Sequence, residues 1–357
     1  MGRWRWVAVP VVVLVLALLV TGAFRSLQAK GQGSGDDQRL PVVALAGYEV
    51  GVFARGTSAY THPDSVVADA QHVFVGYQNV TAKDGTDNKT STVVEYTLQG
   101  EVVHTFSVPG HCDGLRIDPS THLVWATSNE DGNPALVTIN PTTGVITPYH
   151  FAPTPHGGGY DDLAFVNGLA FIAASNPTLD QNGVNVFPAL DKIELLSNGN
   201  IALTPVLFGN ATALDTTANN TPVTLNEIDP DSLTVDPQGD VVLSNQAGSE
   251  LVFLHNPGTP QQTVTRVPVG TQLDDTVWAT ATGGRMLVAD GSANIIYSIR
   301  ATFTTGTVYT EAPDDSAVNG FVATVKLSTG FVTPIAIGFG KATGLLFLPD
   351  SSQNGNG

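Results

Sequence analysis

An all-β chain folded as a six-bladed β-propeller, behind an N-terminal export or anchor segment, is what the sequence predicts. Three observations carry that expectation. Gly (37) and Pro (22) punctuate all 357 residues, which leaves little room for long helices. Hydrophobic residues make up 42% of the chain and alternate with polar ones in short runs, the period of half-buried strands. Above all, one segment type recurs: PDSVVADAQHVFVGYQN (63–79), CDGLRIDPSTHLVWATSN (112–129), YDDLAFVNGLAFIAAS (160–175), PDSLTVDPQGDVVLSNQ (230–246) and LDDTVWATATGGRMLVAD (273–290), with a truncated sixth copy, ATGLLFLPD (342–350). Each full copy reads as Asp, a small or acidic residue, an apolar strand, a short turn, a second apolar strand and a polar loop. Successive copies lie about 45 to 70 residues apart, which brackets one propeller blade and leaves space for insertions.

Taken in order, the chain opens with Arg3 and Arg5 followed by a near-continuous apolar stretch from Trp6 to Phe24. Its centre, Val7 to Val20, has signal-peptide length, and Thr21, Gly22 and Ala23 offer small residues for cleavage. The whole stretch is also just long enough to span a bilayer, and Arg25 follows at once. Residues 1–29 are therefore read as a signal peptide or a membrane anchor, both alternatives open. Residues 30–41 read as a flexible tether, 42–350 as the propeller and 351–357 as a disordered tail. The propeller is expected outside the cytoplasm, secreted, periplasmic or anchored, as a monomer that meets a membrane only through an uncleaved N-terminal segment.

Between the copies lie the other two strands of a blade. TVVEYTLQGEVVHTFSV (92–108), ALVTINPTTGVITPYHF (135–151), DKIELLSNGNIALTPVL (191–207) and FVATVKLSTGFVTPIAI (321–337) each pair two alternating runs around a polar, Gly-containing turn. The last copy stops after one strand, so VVAL (42–45) and YEVGVFARG (48–56) are expected to complete the sixth blade and close the ring. Seven blades would need an unrecognised degenerate copy, and five would make the last copy an outer strand. Three long segments, 176–188, 208–229 and 294–320, read as insertions, the first two overhanging the channel mouth and the third carrying its own strand pair.

Charge excludes whole classes of function. With 15 Lys+Arg against 32 Asp+Glu the net charge is −17, which rules out a protein built to neutralise nucleic-acid phosphates. The single cysteine, Cys112, permits no intramolecular disulfide or cysteine zinc site and has no partner for nucleophilic chemistry. No Ser/His/Asp elbow, phosphate loop or dinucleotide fingerprint occurs.

In a propeller the start of each innermost strand and the loop between the second and third strands share one face. Asp64, Asp113, Asp161, Asp231 and Asp274 should therefore ring the channel mouth as candidate metal ligands. His62 and His111 stand two positions before two of these aspartates, and the loops after the second strands add Asn79, Asn129, Asn176, Gln246 and Asp290 as candidate ligand-binding groups. Converging carboxylates repel unless they are protonated, spread apart or neutralised by a cation. Oxygen ligands favour one divalent ion, calcium first or magnesium, while the two His-x-Asp pairs leave zinc or manganese open. An aspartate at a strand start is equally a turn residue that accepts backbone N–H bonds, which is the reading for Asp69, Asp118 and Asp236.

These strand pairs, with their DGLxxDP-type turns, resemble the six-bladed propellers of the gluconolactonase and senescence-marker-protein group and of NHL-repeat proteins, over roughly residues 60–350. The resemblance implies the architecture, and in the lactonase branch an axial divalent metal held by a Glu from one inner strand and Asn or Asp from others. Asp231 matches the Asp position, Asp64 stands where the Glu is expected, and no Asn fills the aligned strand start. Two functions follow as expectations. The first is a non-catalytic propeller binding a small molecule or protein at the loop face; the second is a divalent-metal-dependent hydrolase or lactonase.

Overall fold

Strands that are apolar on both sides need a partner sheet on each face, and the chain meets that need by stacking six sheets radially around one axis. The computed structural model describes residues 41–313 and 320–350; the N-terminal segment (1–29), all of the tether except residue 41, and the tail lie outside the described residues. Blade 1 runs outward from the axis as Pro63–Ala68, His72–Tyr77, Thr90–Thr97 and Val102–Pro109. Blade 2 follows as Cys112–Ile117, Val124–Ser128, Ala135–Ile139 and Ile146–His150, and blade 3 as Leu163–Val166, Leu169–Ala173, Pro188–Leu195 and Ile201–Phe208. Blade 4 consists of Pro230–Val235, Val241–Asn245, Glu250–His255 and Thr263–Pro268.

Burial follows position in the blade. In His72–Tyr77 the residues Val73, Phe74, Val75 and Tyr77 are all buried, because blades pack against both faces of a second strand. The outermost strand Val102–Pro109 keeps only Phe106 and Val108 inside. Turn chemistry matches the expected roles: Asp69 accepts from the amides of Gln71 and His72, Asp118 from Ser120, and Asp236 from Gln238, each at 2.7 to 2.8 Å. In the blade-1 hairpin Gly100 is obligatory, since its φ is 90° and a Cβ there would lie 2.2 Å from the Phe53 carbonyl.

Blades 5 and 6 depart from the expected order. Residues 273–290 read as an adjacent inner and second strand, yet the structure puts the two halves in different sheets. Thr276–Trp278 is the inner strand of blade 5, whereas Gly284–Asp290 is the second strand of blade 6, paired with the last copy, Ala342–Pro349 (Met286 opposite Phe347). The chain makes the third strand of blade 6, Ile295–Arg300, then returns to blade 5 for Val308–Ala312, Gly320–Lys326 and Phe331–Phe339, before entering blade 6 again along the axis. The two blades are interlocked by this double crossing. Residues 294–320, expected as an insertion, thus hold one strand of each blade.

Ring closure is as expected for one N-terminal segment and not for the other. Glu49–Arg55 pairs with Ile295–Arg300 and forms the outer strand of blade 6. Val43–Ala44 instead adds to the outer edge of blade 5, opposite Ile337 and Ala336. Segment 208–229 forms a hairpin, Thr212–Asp215 with Thr221–Thr224, that lies along the outer edge of blade 4 (Leu214 opposite Thr265) instead of over the mouth. An Arg266 guanidinium bonded to both Asp215 (2.9 Å) and Glu250 (2.9 Å) pins it there.

Below the mouth, the residue after every second ring aspartate ties its blade to the next. Ser65 Oγ accepts from Leu115 N (3.0 Å), Asp162 Oδ2 from Leu233 N (3.0 Å) and Asp275 Oδ2 from Leu345 N (2.9 Å). Blades 1, 3 and 5 thereby hold the inner strands of blades 2, 4 and 6. Arg116 spans the channel at this level, donating to Asp162 (2.5 Å) and to the Leu233 carbonyl. Replacing it (Arg116→Ala) leaves Asp162 buried without its cation and should cost about 3 kcal/mol in urea unfolding; a change below 1 kcal/mol would show the pair to be idle.

Candidate metal and ligand site at the channel mouth

Above Arg116 the channel opens into a basin of about 170 Å³, lined almost entirely by polar groups. All five aspartates predicted at the strand starts line it, Asp64, Asp113, Asp161, Asp231 and Asp274, together with Asn176 and Gln246 from the second-strand loops. Radial topology explains the convergence, because the start of each inner strand faces the axis: an aspartate stands there in blades 1 to 5 and Thr343 in blade 6. Gln78, in a second-strand loop, and Asp229, two positions before Asp231, also line it as their places in the repeat imply, and the structure adds Glu130, Asp131, Lys83 and Lys341, which the repeat did not single out. Glu130 and Asp131 follow Asn129 in the blade-2 loop, where blade 1 has Val80 and Thr81 after Asn79. That difference between otherwise matching loops is the signal that could have found them.

Several predicted residues sit elsewhere. Asn79 and Asn129 adopt left-handed backbone (φ 56° and 70°) and spend their side chains on their own blade, each Oδ1 accepting from an amide at the inner-strand start, Thr61 (3.1 Å) or His111 (2.9 Å). Both are outside the basin lining. His62 is exposed, its Nδ1 3.0 Å from Thr61 Oγ1. Asp290 is fully buried and accepts from the amides of Ala293, Gly340 and Lys341, so it braces a blade-6 loop. Cys112 is buried, and burial pushes its thiol well above the ordinary range, as inert sulfur requires.

The electrostatics of the basin are those of crowded acids. Burial first, and neighbouring carboxylates second, raise Asp113, Asp161, Asp231 and Asp274 well above the usual carboxylate range. Burial raises Asp64 to about 7 even though Lys341 pulls the other way. Glu130 goes down: burial opposes ionisation there, but the Lys83 ammonium in contact with it prevails. Neutral hydrogen bonds fill part of the space, with Gln246 Nε2 donating to Asp231 (2.6 Å), Ser232 Oγ to Asp274 (2.5 Å) and Gln78 Nε2 reaching Asp113 at 3.4 Å.

His111 is buried behind the basin, outside its lining, and there it, Asp113 and Glu130 each bring a ligand atom within 4.8 Å of the other two, a cluster able to hold a metal ion. Burial lowers His111 to about 4, so its imidazole is neutral at physiological pH.

No family model matches this chain, and neither does any curated protein. Among solved structures it is similar to a protein described as belonging with the gluconolactonases (12% identity, TM-score 0.49, covering 85% of this chain and 87% of that one). It is also similar to a protein of unknown function from Bacteroides caccae (13%, 0.46, 80% and 86%) and to virginiamycin B lyase from Staphylococcus aureus (12%, 0.41, 74% and 95%). The six blades themselves establish the architecture expected from the sequence. Likeness at this level transfers no activity.

Proposed function

We propose that the protein is an extracytoplasmic binding propeller whose channel mouth takes a small ligand, or a segment of a protein, through one bound divalent cation. What supports this reading is the density of acid in the basin: ten carboxyl groups, the five ring aspartates with Glu130, Asp131, Asp162, Asp229 and Asp275, share it with two lysines. Like charges packed this closely are relieved by protons or by a cation. A divalent ion held by Asp113 and its ring neighbours would offer open coordination positions to the oxygen atoms of a ligand. The test is the melting temperature of the full chain in calcium, manganese or zinc against EDTA. At a hundredfold excess over Kd an ion should stabilise the fold by about 2.7 kcal/mol. The double variant Asp113→Asn, Asp231→Asn should fold and lose that increment. If no ion moves the wild-type melting temperature, the basin is a set of protonated turn residues and the reading falls.

One feature favours a second reading, a metal-dependent hydrolase or lactonase. Asp64, with its carboxyl raised to about 7 by burial, exchanges its proton near neutrality, as a general base must. Ester or lactone turnover that Asp64→Asn abolishes while cation binding persists would favour hydrolysis over simple binding.

A further inference from the structure

We propose that His111 Nε2, Asp113 and Glu130 form a site for one borderline divalent ion, zinc or manganese in preference to calcium, on the blade-2 side of the basin. This rests on the reading of the mouth as a cation site and specifies which ion it takes and where.

The imidazole is the observation that points to a metal. His111 is 7% exposed, and its Nδ1 lies 3.1 Å from the carbonyl oxygen and 2.8 Å from the hydroxyl of Thr81. That hydroxyl donates to the Gln78 carbonyl (2.6 Å), so it accepts from the ring, and a carbonyl can only accept. The ring proton is therefore on Nδ1, which leaves a bare lone pair on Nε2. Nε2 is buried without a hydrogen-bond partner and stands 3.5 Å from Asp113 Oδ1. A lone pair aimed at a carboxylate is what a metal ion between them would satisfy, and an Nδ1–H bonded to a backbone carbonyl is the usual orientation of a metal-binding histidine.

The surrounding chain holds these groups in place. His111 and Asp113 are two residues apart in extended backbone and so face the same side. Glu130 reaches them because the left-handed turn at Asn129 fastens the blade-2 loop to the His111 amide (2.9 Å), while the Glu130 amide approaches Asp113 Oδ2 at 3.3 Å. His111 Nε2 and Asp113 Oδ1, 3.5 Å apart, already stand near the roughly 3.4 Å spacing that zinc bonds of about 2.1 Å imply, and the Glu130 carboxylate, within 4.8 Å of both, must draw in by up to about 1.4 Å. An imidazole among carboxylates selects zinc or manganese over calcium. Blade 1 carries the same His-x-Asp pair but has Val80 where blade 2 has Glu130, and there His62 stays in solvent. Lys83, half in solvent, is an internal stand-in for the ion on Glu130, so metal and lysine compete.

The experiment is calorimetric titration of the metal-stripped full chain with zinc, manganese and calcium chlorides. We expect one zinc ion per chain, bound more tightly than calcium. His111→Ala and His111→Gln should each weaken zinc on the order of 100-fold, and Lys83→Met should tighten it, which loss of a merely structural lysine would not do. X-ray absorption of the zinc-loaded wild type, which needs no variant to fold, should show one imidazole nitrogen. Zinc binding that survives both His111 substitutions, or a zinc shell without nitrogen, overturns this site. Calcium binding that depends on Asp113 and Asp231 but ignores His111 overturns it while sparing the broader reading. Absence of binding by all three ions overturns both.

Discussion

In the presence of a chelator the protein is expected to lose stability steeply between pH 6.5 and 8, and divalent metal should flatten that loss. Asp64 has its folded pKa raised from 3.8 to about 7, and burial with neighbouring carboxylates raises Asp113, Asp161, Asp231 and Asp274 well above the ordinary carboxylate range. In the unfolded chain all five are ionised above pH 5. The native state therefore binds more protons than the unfolded state through neutrality, and stability falls as pH rises. Asp64 alone accounts for about 4 kcal/mol spread between pH 3.8 and 7, at about 1.4 kcal/mol per unit, so less than about 1 kcal/mol of it falls above pH 6.5; the other four add with the same sign and carry the loss beyond that pH. His111, lowered to about 4, acts oppositely, since its unfolded form binds the extra proton, but only below about pH 6.5. Above that pH the carboxyls act unopposed. Melting curves at pH 6.5 and 8, with EDTA and with zinc or calcium, check this; a flat or rising EDTA profile would refute the buried, protonated basin.

Truncation after residue 339 is expected to abolish cooperative folding. It removes Ala342–Pro349, which carries the buried side chains of Ala342, Leu345 and Phe347 and pairs with the axial edge of Gly284–Asp290. It also takes the Leu345 amide from Asp275, a buried carboxyl in the ring of blade-to-blade bonds. Phe347→Ala, which keeps the strand, should cost about 3 to 5 kcal/mol, a loss that a urea titration resolves. A truncated chain with an unaltered unfolding midpoint would place the last copy outside the ring.

What could be read from the sequence was whatever repeats locally. The aspartate before each apolar strand marked the inner-strand starts and, through propeller geometry, the convergence of Asp64, Asp113, Asp161, Asp231 and Asp274. The exchange between blades 5 and 6 was not legible, because Gly284–Asp290 has the alternation of any second strand whichever inner strand it joins. Pairing partners are a tertiary choice. The hairpin at 212–224 misled for a similar reason: its length marked it as an insertion, but the Asp215–Arg266 bond that lays it on an outer edge joins residues far apart in sequence. Asn79 and Asn129 looked like ligand groups because amides bind ligands; their left-handed backbone commits them to turns instead.

The interlocking of blades 5 and 6 also sets a timetable. As the chain emerges from the ribosome N-terminus first, each of blades 1 to 4 can gather its strands as soon as they appear. Residues 284–300 then arrive as a hairpin with Met286, Val288, Ile296, Tyr297 and Ile299, all destined for burial, before their axial neighbour, Ala342–Pro349, has been made. Blade 5 waits for residues 308–339 and blade 6 for Pro349, while the strand at Glu49–Arg55 has been present since the beginning. The ring therefore closes between the first and the last of its strands to be made, and the acidic basin above the axis does not exist until Ala342–Pro349 has emerged.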